Sequence, residues 1–283
     1  MAVMETTDEN TMPARNTRLV YRHRWPLRLM HWINVLCLTV LLMSGLQIFN
    51  AHPSLSLGHA SNDNTAWLAM GARTDENGVP RGVTRIFGHM IDTDGVLGAS
   101  TVDGERSVRA FPAWATLPGP QWLAMGRRWH FFFAWLFVIN GLAYVGWSVV
   151  TRHLTRDLTP TRNDWRGFGR SILDHLKFRH PKGEAALRYN ILQKLAYLGV
   201  VFVLGGGIVL MGLAMSPRMD AVLGWMVDLV GGRQSARSWH FVIACGFVVF
   251  VVIHVFEVIV TGVFNQLRGM ITGWYRIDED DKP

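Results

Sequence analysis

Polar and apolar residues are segregated along this chain rather than mixed. Residues 27–49, 129–150, 191–215 and 239–264 form four blocks, each nearly free of charge beyond its first turn. Each block approaches the roughly 20 apolar residues that an α-helix needs to cross a bilayer. A helix on the surface of a water-soluble domain keeps a polar face, and these keep none. The pattern predicts an all-α integral membrane protein: a four-helix bundle with a long loop between spans one and two. The expected organisation is a tail over 1–26, a bundle over 27–264 containing the loop 50–128, and a second tail over 265–283.

The first block reads as a retained span. Glu5, Asp8 and Glu9 precede it, its apolar core is longer than that of a secretory signal, and no small-x-small cleavage site follows it. Residues 1–17 are polar and expected to be disordered. Cys37 and Cys245 lie inside apolar blocks and read as small buried thiols. No Cys-x-x-Cys-His run offers covalent haem attachment.

Charge then orients the chain. The formal net charge of +7 points away from nucleic acid, because its carriers follow topology. Arg15, Arg18, Arg22, Arg24 and Arg28 precede the first block. Arg152, Arg156, Arg162, Arg166, Arg170, Lys177, Arg179, Lys182 and Arg188 fill the second connection, and Arg268, Arg276 and Lys282 follow the last block. Four spans put these segments on one side, the cytoplasmic one by the positive-inside rule. Both termini are then cytoplasmic, the membrane is a bacterial inner membrane, and the 50–128 loop is periplasmic. A loop of that length in a compact bundle is functional or a docking surface. Within the second connection, 166–178 is weakly amphipathic through Ile172, Leu173, Leu176 and Phe178; it reads equally as an interfacial helix or a solvated basic linker. Tryptophans 25, 32, 122, 129, 147, 225, 239 and 274 sit near block ends, where indoles anchor at headgroup level. Gly205, Gly206 and Gly207 allow close helix packing in the third block.

Ionisable groups inside a bilayer are costly and mark function. His31 lies one turn into the first block and His130 opens the second. His240 opens the fourth, and His254 follows 14 residues later, roughly 21 Å deeper at about 1.5 Å per residue. Fourteen steps of about 100° bring both imidazoles to one helix face. By depth, His130 pairs with His240 near the periplasmic boundary, and His31 with His254 in the cytoplasmic half. Two levels of paired imidazoles suit two b-type haems with bis-histidine irons; a zinc site gathers its ligands at one level. The other histidines, at 23, 52, 59, 89, 153, 175 and 180, read as solvated loop residues.

These histidines, with Arg28-Leu-Met-His31-Trp32-Ile-Asn34, Met43-Ser-Gly45, Trp129-His130 and Arg188-Tyr189-Asn190-x-x-Gln193-Lys194-Leu-Ala-Tyr197, carry a family resemblance. The chain resembles the di-haem cytochrome b subunits of formate dehydrogenase and nickel–iron hydrogenase, and within them the thiosulfate-reductase cytochrome b-subunit branch. The resemblance implies that His31 and His254 hold the cytoplasmic-side haem iron, and His130 and His240 the periplasmic-side one. It also implies electron exchange between a quinone pool and a periplasmic redox subunit, often a molybdenum enzyme. The chain has no nucleotide, molybdopterin or iron–sulfur motif of its own, so substrate chemistry is expected in that partner, docked on the 50–128 and 216–238 loops.

A quinone site near the cytoplasmic haem needs hydrogen-bonding groups beside an apolar slot. Asn34, Tyr189, Asn190, Gln193, Lys194 and Tyr197 supply them. Glu257, one turn after His254, is expected to relay a proton or else to be a locally paired structural carboxylate. Arg24, Arg28, Arg128 and Arg237 offer guanidinium groups to haem propionates, although ordinary positive-inside charge explains Arg24 and Arg28 equally well. Two other classes compete: a stand-alone haem b oxidoreductase of quinol or superoxide, and a non-redox scaffold or sensor whose histidines are polar contacts.

Overall fold

The computed structural model of the protein describes residues 17–102, 104–177 and 189–278. The expected disorder of the first residues, the Arg188 that opens one motif, and Phe178, Arg179, His180, Lys182 and Lys282 lie wholly or largely outside them.

Among the described residues, four helices are long and apolar enough to cross a membrane. Helix α1 is Trp25–Phe49 and α2 is Leu123–Val150. The short α3, Arg162–Arg166, and α4, Phe168–Leu176, follow in the second connection. Helix α5, Ile191–Ala214, is the third apolar helix, α6 is Pro217–Leu229, α7 is Arg233–Val260 and α8 is Val263–Thr272. Leu123 and Arg233 lie six residues before the apolar runs at 129 and 239. The added turns are polar or mixed; that of α7 packs against folded chain through buried Ser235, Ala236 and Ser238, and that of α2 is largely exposed, with buried Gly126 against Gln47.

Local chemistry explains several ends. Pro26 sits in the first turn of α1, where its missing N–H costs nothing. Asn190 caps α5 in a capping box with Gln193. Gly232, at φ 108°, turns the chain sharply into α7. The middle of α5 widens into a π-turn over Gly199–Gly205, beside the three glycines. There α5 meets α7 closely: a Cβ on Gly207 would stand 3.1 Å from the Ile243 side chain.

Many apolar side chains of these helices face outward, Phe132, Trp135, Leu142, Val203, Val249 and Val252 among them. That surface is costly in water and fits hydrocarbon.

The all-α expectation needs correction in the long loop. Residues 50–122 carry six strands: β2 Ser54–Leu55, β3 Leu68–Thr74, β4 Pro80–Ile86, β5 His89–Asp92, β6 Ala99–Val102 and β7 Glu105–Val108. The first four form an antiparallel sheet in chain order, and β6 pairs with β7. Phe49, Leu55, Leu68, Met70 and Ala110 make its core, with Phe241 of α7 packed against it. Short strands, low hydrophobicity and frequent turns hid this unit behind the stronger signal of the spans. Among the described residues two further strands, Thr17–Tyr21 (β1) and Trp274–Asp278 (β8), pair antiparallel from Thr17↔Asp278 to Tyr21↔Trp274. The segments flanking the first and last spans thus meet on one side of the bundle.

Candidate functional site

The four span histidines meet in two couples. His130 of α2 and His240 of α7 have ring centres 6.2 Å apart. His31 of α1 and His254 of α7 have theirs 6.3 Å apart. An iron held axially by two imidazoles at about 2 Å each separates their ring centres by roughly 6 Å. Among the described residues, no group of three or more His, Cys, Asp and Glu side chains gathers to hold a metal ion. Each couple offers two axial nitrogens and leaves the remaining coordination to a macrocycle. The donor set and its spacing fit haem.

The His130/His240 couple is held from behind. His240 Nδ1 lies 3.0 Å from the Ile208 carbonyl oxygen. A carbonyl only accepts, so Nδ1 carries the proton and Nε2 is free for a metal. His130 Nδ1 lies 3.1 Å from Ser44 Oγ, which donates its own proton to Val40 O at 2.6 Å. Ser44 therefore accepts from His130, with the same consequence. Gly45 faces the His130 ring and Gly212 the His240 ring, where an added Cβ would stand 3.4 Å and 3.5 Å from the respective Cε1 atoms. The Met43-Ser-Gly45 string held this clue; nothing in the sequence marked the Ile208 carbonyl.

The β unit closes over this end. Arg237 donates to the carbonyls of His52 and Ser54 and lies over the Phe49 ring at 5.7 Å. Trp67 Nε1 donates to Ser238 Oγ at 3.1 Å, and Ser238 donates to Ser56 O at 2.7 Å. Gln47 binds Pro120 O at 2.8 Å and accepts from Arg109 at 3.1 Å. Arg237 is thus committed to the cap, not to a cofactor carboxylate. Arg128 is exposed in the first turns of α2, and Arg24 is exposed at the start of α1.

The His31/His254 couple has aromatic neighbours. His31 meets Trp32 edge-on at 5.4 Å, and His254 stacks on Phe250 at 5.7 Å with planes 19° apart. His31 is half-buried and His254 exposed on the flank of α7. Arg28, one turn before His31, donates to Ile271 O, while its buried Nε meets no described acceptor.

The residues expected around a quinone divide into two groups. Asn190 and Gln193 cap α5, each bonding the other's backbone N–H, at 3.2 Å and 2.8 Å. Lys194 is buried and pairs with Asp164 at 2.9 Å. Asn34 accepts from Asn140 of α2 at 2.8 Å, and Asn140 also donates to Met30 O at 2.9 Å. Asn34 and Lys194 are thus engaged in tying helices together, and Asn190 and Gln193 in capping their own. Tyr189 and Tyr197, by contrast, meet ring to ring at 5.3 Å. Glu257 lies 3.1 Å from His175 Nε2 of α4. That contact docks the amphipathic segment on the last span, and His175 is not the solvated loop residue expected.

Two more histidines depart from that expectation. His23 is partly buried beside Gly269; burial first, then Arg22, His31, Arg28 and His153, lower its pKa to about 4. His153 is largely buried, its Nδ1 2.7 Å from Asp157 Oδ2, and its ring meets Trp147 at 5.6 Å and Tyr189 at 6.3 Å. Burial above all raises the Tyr189 phenol's pKa. Bonds from the Thr161 backbone and Lys194 hold the Asp164 carboxyl at about 2.

The chain is 31% identical over 166 residues, 57% of its length and 77% of the relative's, to a protein of Azospira oryzae named putative protein-methionine-sulfoxide reductase subunit YedZ1. It is 22% identical over 288 residues, 97% of its length and 94% of the relative's, to a probable Ni/Fe-hydrogenase B-type cytochrome subunit of Cupriavidus necator. A protein of that same description from Azotobacter vinelandii is 27% identical over 168 residues, 54% of this chain and 69% of the relative. No solved structure matches. The family model described as prokaryotic cytochrome b561 matches residues 22–273, all four apolar helices included. The chain belongs to the prokaryotic cytochrome b561 family and is a transmembrane, electron-transferring cytochrome of the b type.

Proposed function

We propose that the chain is a di-haem subunit that carries electrons between a quinone pool and a periplasmic redox enzyme. The observation that carries this reading is the two imidazole couples, both at iron-spanning separation and both sharing α7. Fourteen residues separate His240 from His254, so the two levels stand roughly 21 Å apart along the helix. His31 and His254 hold one iron and His130 and His240 the other. When bound, each haem supplies a reversible one-electron change at iron. The protein's part is to fix the imidazoles, aim their Nε2 atoms and keep water out. Arg28, with its orphaned Nε, and Arg128 are the proposed propionate partners.

The partner docks on the capped end, built from 50–128 and 216–238. The cap covers the His130/His240 end instead of leaving an edge open to small diffusing substrates, which favours a docked protein over the stand-alone quinol or superoxide oxidoreductase. The YedZ1 relative's name points to a methionine-sulfoxide reductase as partner, and the hydrogenase relatives' names point to a nickel–iron hydrogenase; a molybdenum enzyme is what the resemblance to the thiosulfate-reductase branch implies. Basic residues flanking the spans support a bacterial inner-membrane protein with both termini in the cytoplasm. The quinone sits near the His31/His254 level, against Tyr189 and Tyr197, with Asn34, Asn190, Gln193 and Lys194 shaping the surrounding helix junction. Glu257, through His175, relays a proton.

Purified protein tests the core of this. A pyridine haemochrome assay is expected to give two haems b per chain, both reduced by a quinol. One haem, or none, overturns the di-haem reading.

A further inference from the structure

A hydroquinone releases two protons as it gives up two electrons, and Glu257 offers an outlet on one flank only. A second group of protonatable side chains gathers where α2 ends. Arg152 takes the left-handed φ of 57°, a conformation that costs a non-glycine residue about 1 kcal/mol or more. The chain then runs through a π-turn over Leu154–Leu158. Together they fold His153 back under Trp147. Its side chain is only 14% exposed, while the Asp157 carboxylate bonded to its Nδ1 is 46% exposed. Tyr189 stands edge-on to the imidazole and Tyr197 against Tyr189. Asn140 of α2 bonds Met30 O beside His31, and α2 runs on from there to the turn that carries His153, so this cluster lies at the same end of the bundle as the His31/His254 couple.

An imidazole whose Nδ1–H is held by a carboxylate, with Nε2 bound to no described residue, is arranged as a general base. We propose that His153, oriented by Asp157, accepts a proton from a hydroquinone lying against Tyr189 and Tyr197 and passes it to the cytoplasmic surface. This rests on the quinone reading above and names a further residue for that reaction. The hydroquinone O–H bond breaks, and an N–H bond forms at Nε2. A haem held by His31 and His254 would supply the one-electron acceptor and take the two electrons in succession, with the second proton leaving through Glu257. The Asp157 carboxylate stabilises the imidazolium, which then loses its proton to water. Quinone reduction runs the same steps backwards.

The titratable groups beside His153 are Asp157 on its own segment and Tyr189 ahead of α5, with His23 ahead of α1 close enough to sense its charge; Arg22, Tyr144 of α2 and Tyr197 of α5 stand about Tyr189. The dyad sits on a folded-back turn, so its sequence neighbours gave no hint of it.

The test compares wild type, H153Q and D157N in the haem-loaded full chain. Three readouts are used: quinol-dependent haem reduction across pH, binding of a hydroxyquinoline N-oxide quinone analogue by its fluorescence, and the redox-induced infrared difference spectrum. H153Q is expected to slow reduction by about 100-fold, to flatten the pH profile on the side set by the base, and to lose the imidazole band. Analogue affinity should change less than about threefold, because the tyrosines that hold the ring are untouched. D157N should slow reduction by about tenfold, since a mis-set tautomer impairs the same base. Unchanged rate and infrared spectrum in H153Q, with analogue binding intact, overturn the role of His153 alone. A wild type that neither binds the analogue nor accepts electrons from quinol overturns the quinone reading and this one with it.

Discussion

The two ends of α7 treat their histidines differently. At the His240 end, both imidazoles are hydrogen-bonded through Nδ1, glycines lie against both rings, and a folded β unit covers the site. At the His254 end the rings have aromatic flanks. Around them stand groups that exchange protons or hold helices together: His153 with Asp157, His175 with Glu257, Lys194 with Asp164. A site that passes only electrons gains from fixed ligands and exclusion of water, since reorganisation slows it. One that couples electrons to protons needs ionisable groups leading out to solvent. The contrast supports the proposal that the capped end exchanges electrons with a protein and the other end reacts with quinone.

The strongest way to break this comparison is to remove one ligand from each end. His254→Ala is expected to lose one of two haems and to abolish reduction by quinol. His130→Ala should lose the other haem yet leave quinol able to reduce the one that remains. Haemochrome content and stopped-flow reduction check both, and a quinol-reducible His254→Ala protein would reverse the assignment.

A smaller effect sharpens the capped end. Ser44 accepts from His130 Nδ1 and so makes that imidazole a stronger donor to ferric iron. Ser44→Ala should raise the midpoint potential of that haem alone. A tenfold shift in relative affinity for the two oxidation states corresponds to about 59 mV for one electron, and a shift of roughly that size is expected. Potentiometric titration of the two haems reads it directly.

The mildest prediction concerns the junction at the other end. Asp164 caps α3, bonds Lys194 of α5 and titrates at about 2 in the folded protein, below the about 3.9 of a free aspartate. Because the folded value is the lower, the stabilisation is complete above about pH 4 and is lost as pH falls towards 2. Asp164→Asn should cost about 1 kcal/mol at neutral pH and flatten the acid limb. Hydrogen exchange of the α3–α5 junction, in detergent from pH 6 to pH 3, measures both.

What the sequence determined by itself was whatever depends on spacing along one element. Four apolar runs announce four spans, because bilayer thickness fixes helix length. A 14-residue interval between His240 and His254 puts both rings on one face at different heights, because the α-helix repeats regularly. The motif around Ser44 and Gly45 already carried one of the ligand supports. Only the tertiary structure decided which polar groups were already taken. Asn34 and Lys194 read as part of a cluster for a ligand, yet their partners Asn140 and Asp164 lie on elements brought together by folding, while Asn190 and Gln193 are taken up locally in the capping box of α5. His153 and His23 read as solvated loop residues until the turn after α2 and the β1–β8 pairing drew them inward. The β cap was equally hidden, since its core joins residues from 49 to 241. A hydrogen bond or a buried contact between distant segments depends on where the chain returns, and that return is settled by the packing of the whole molecule.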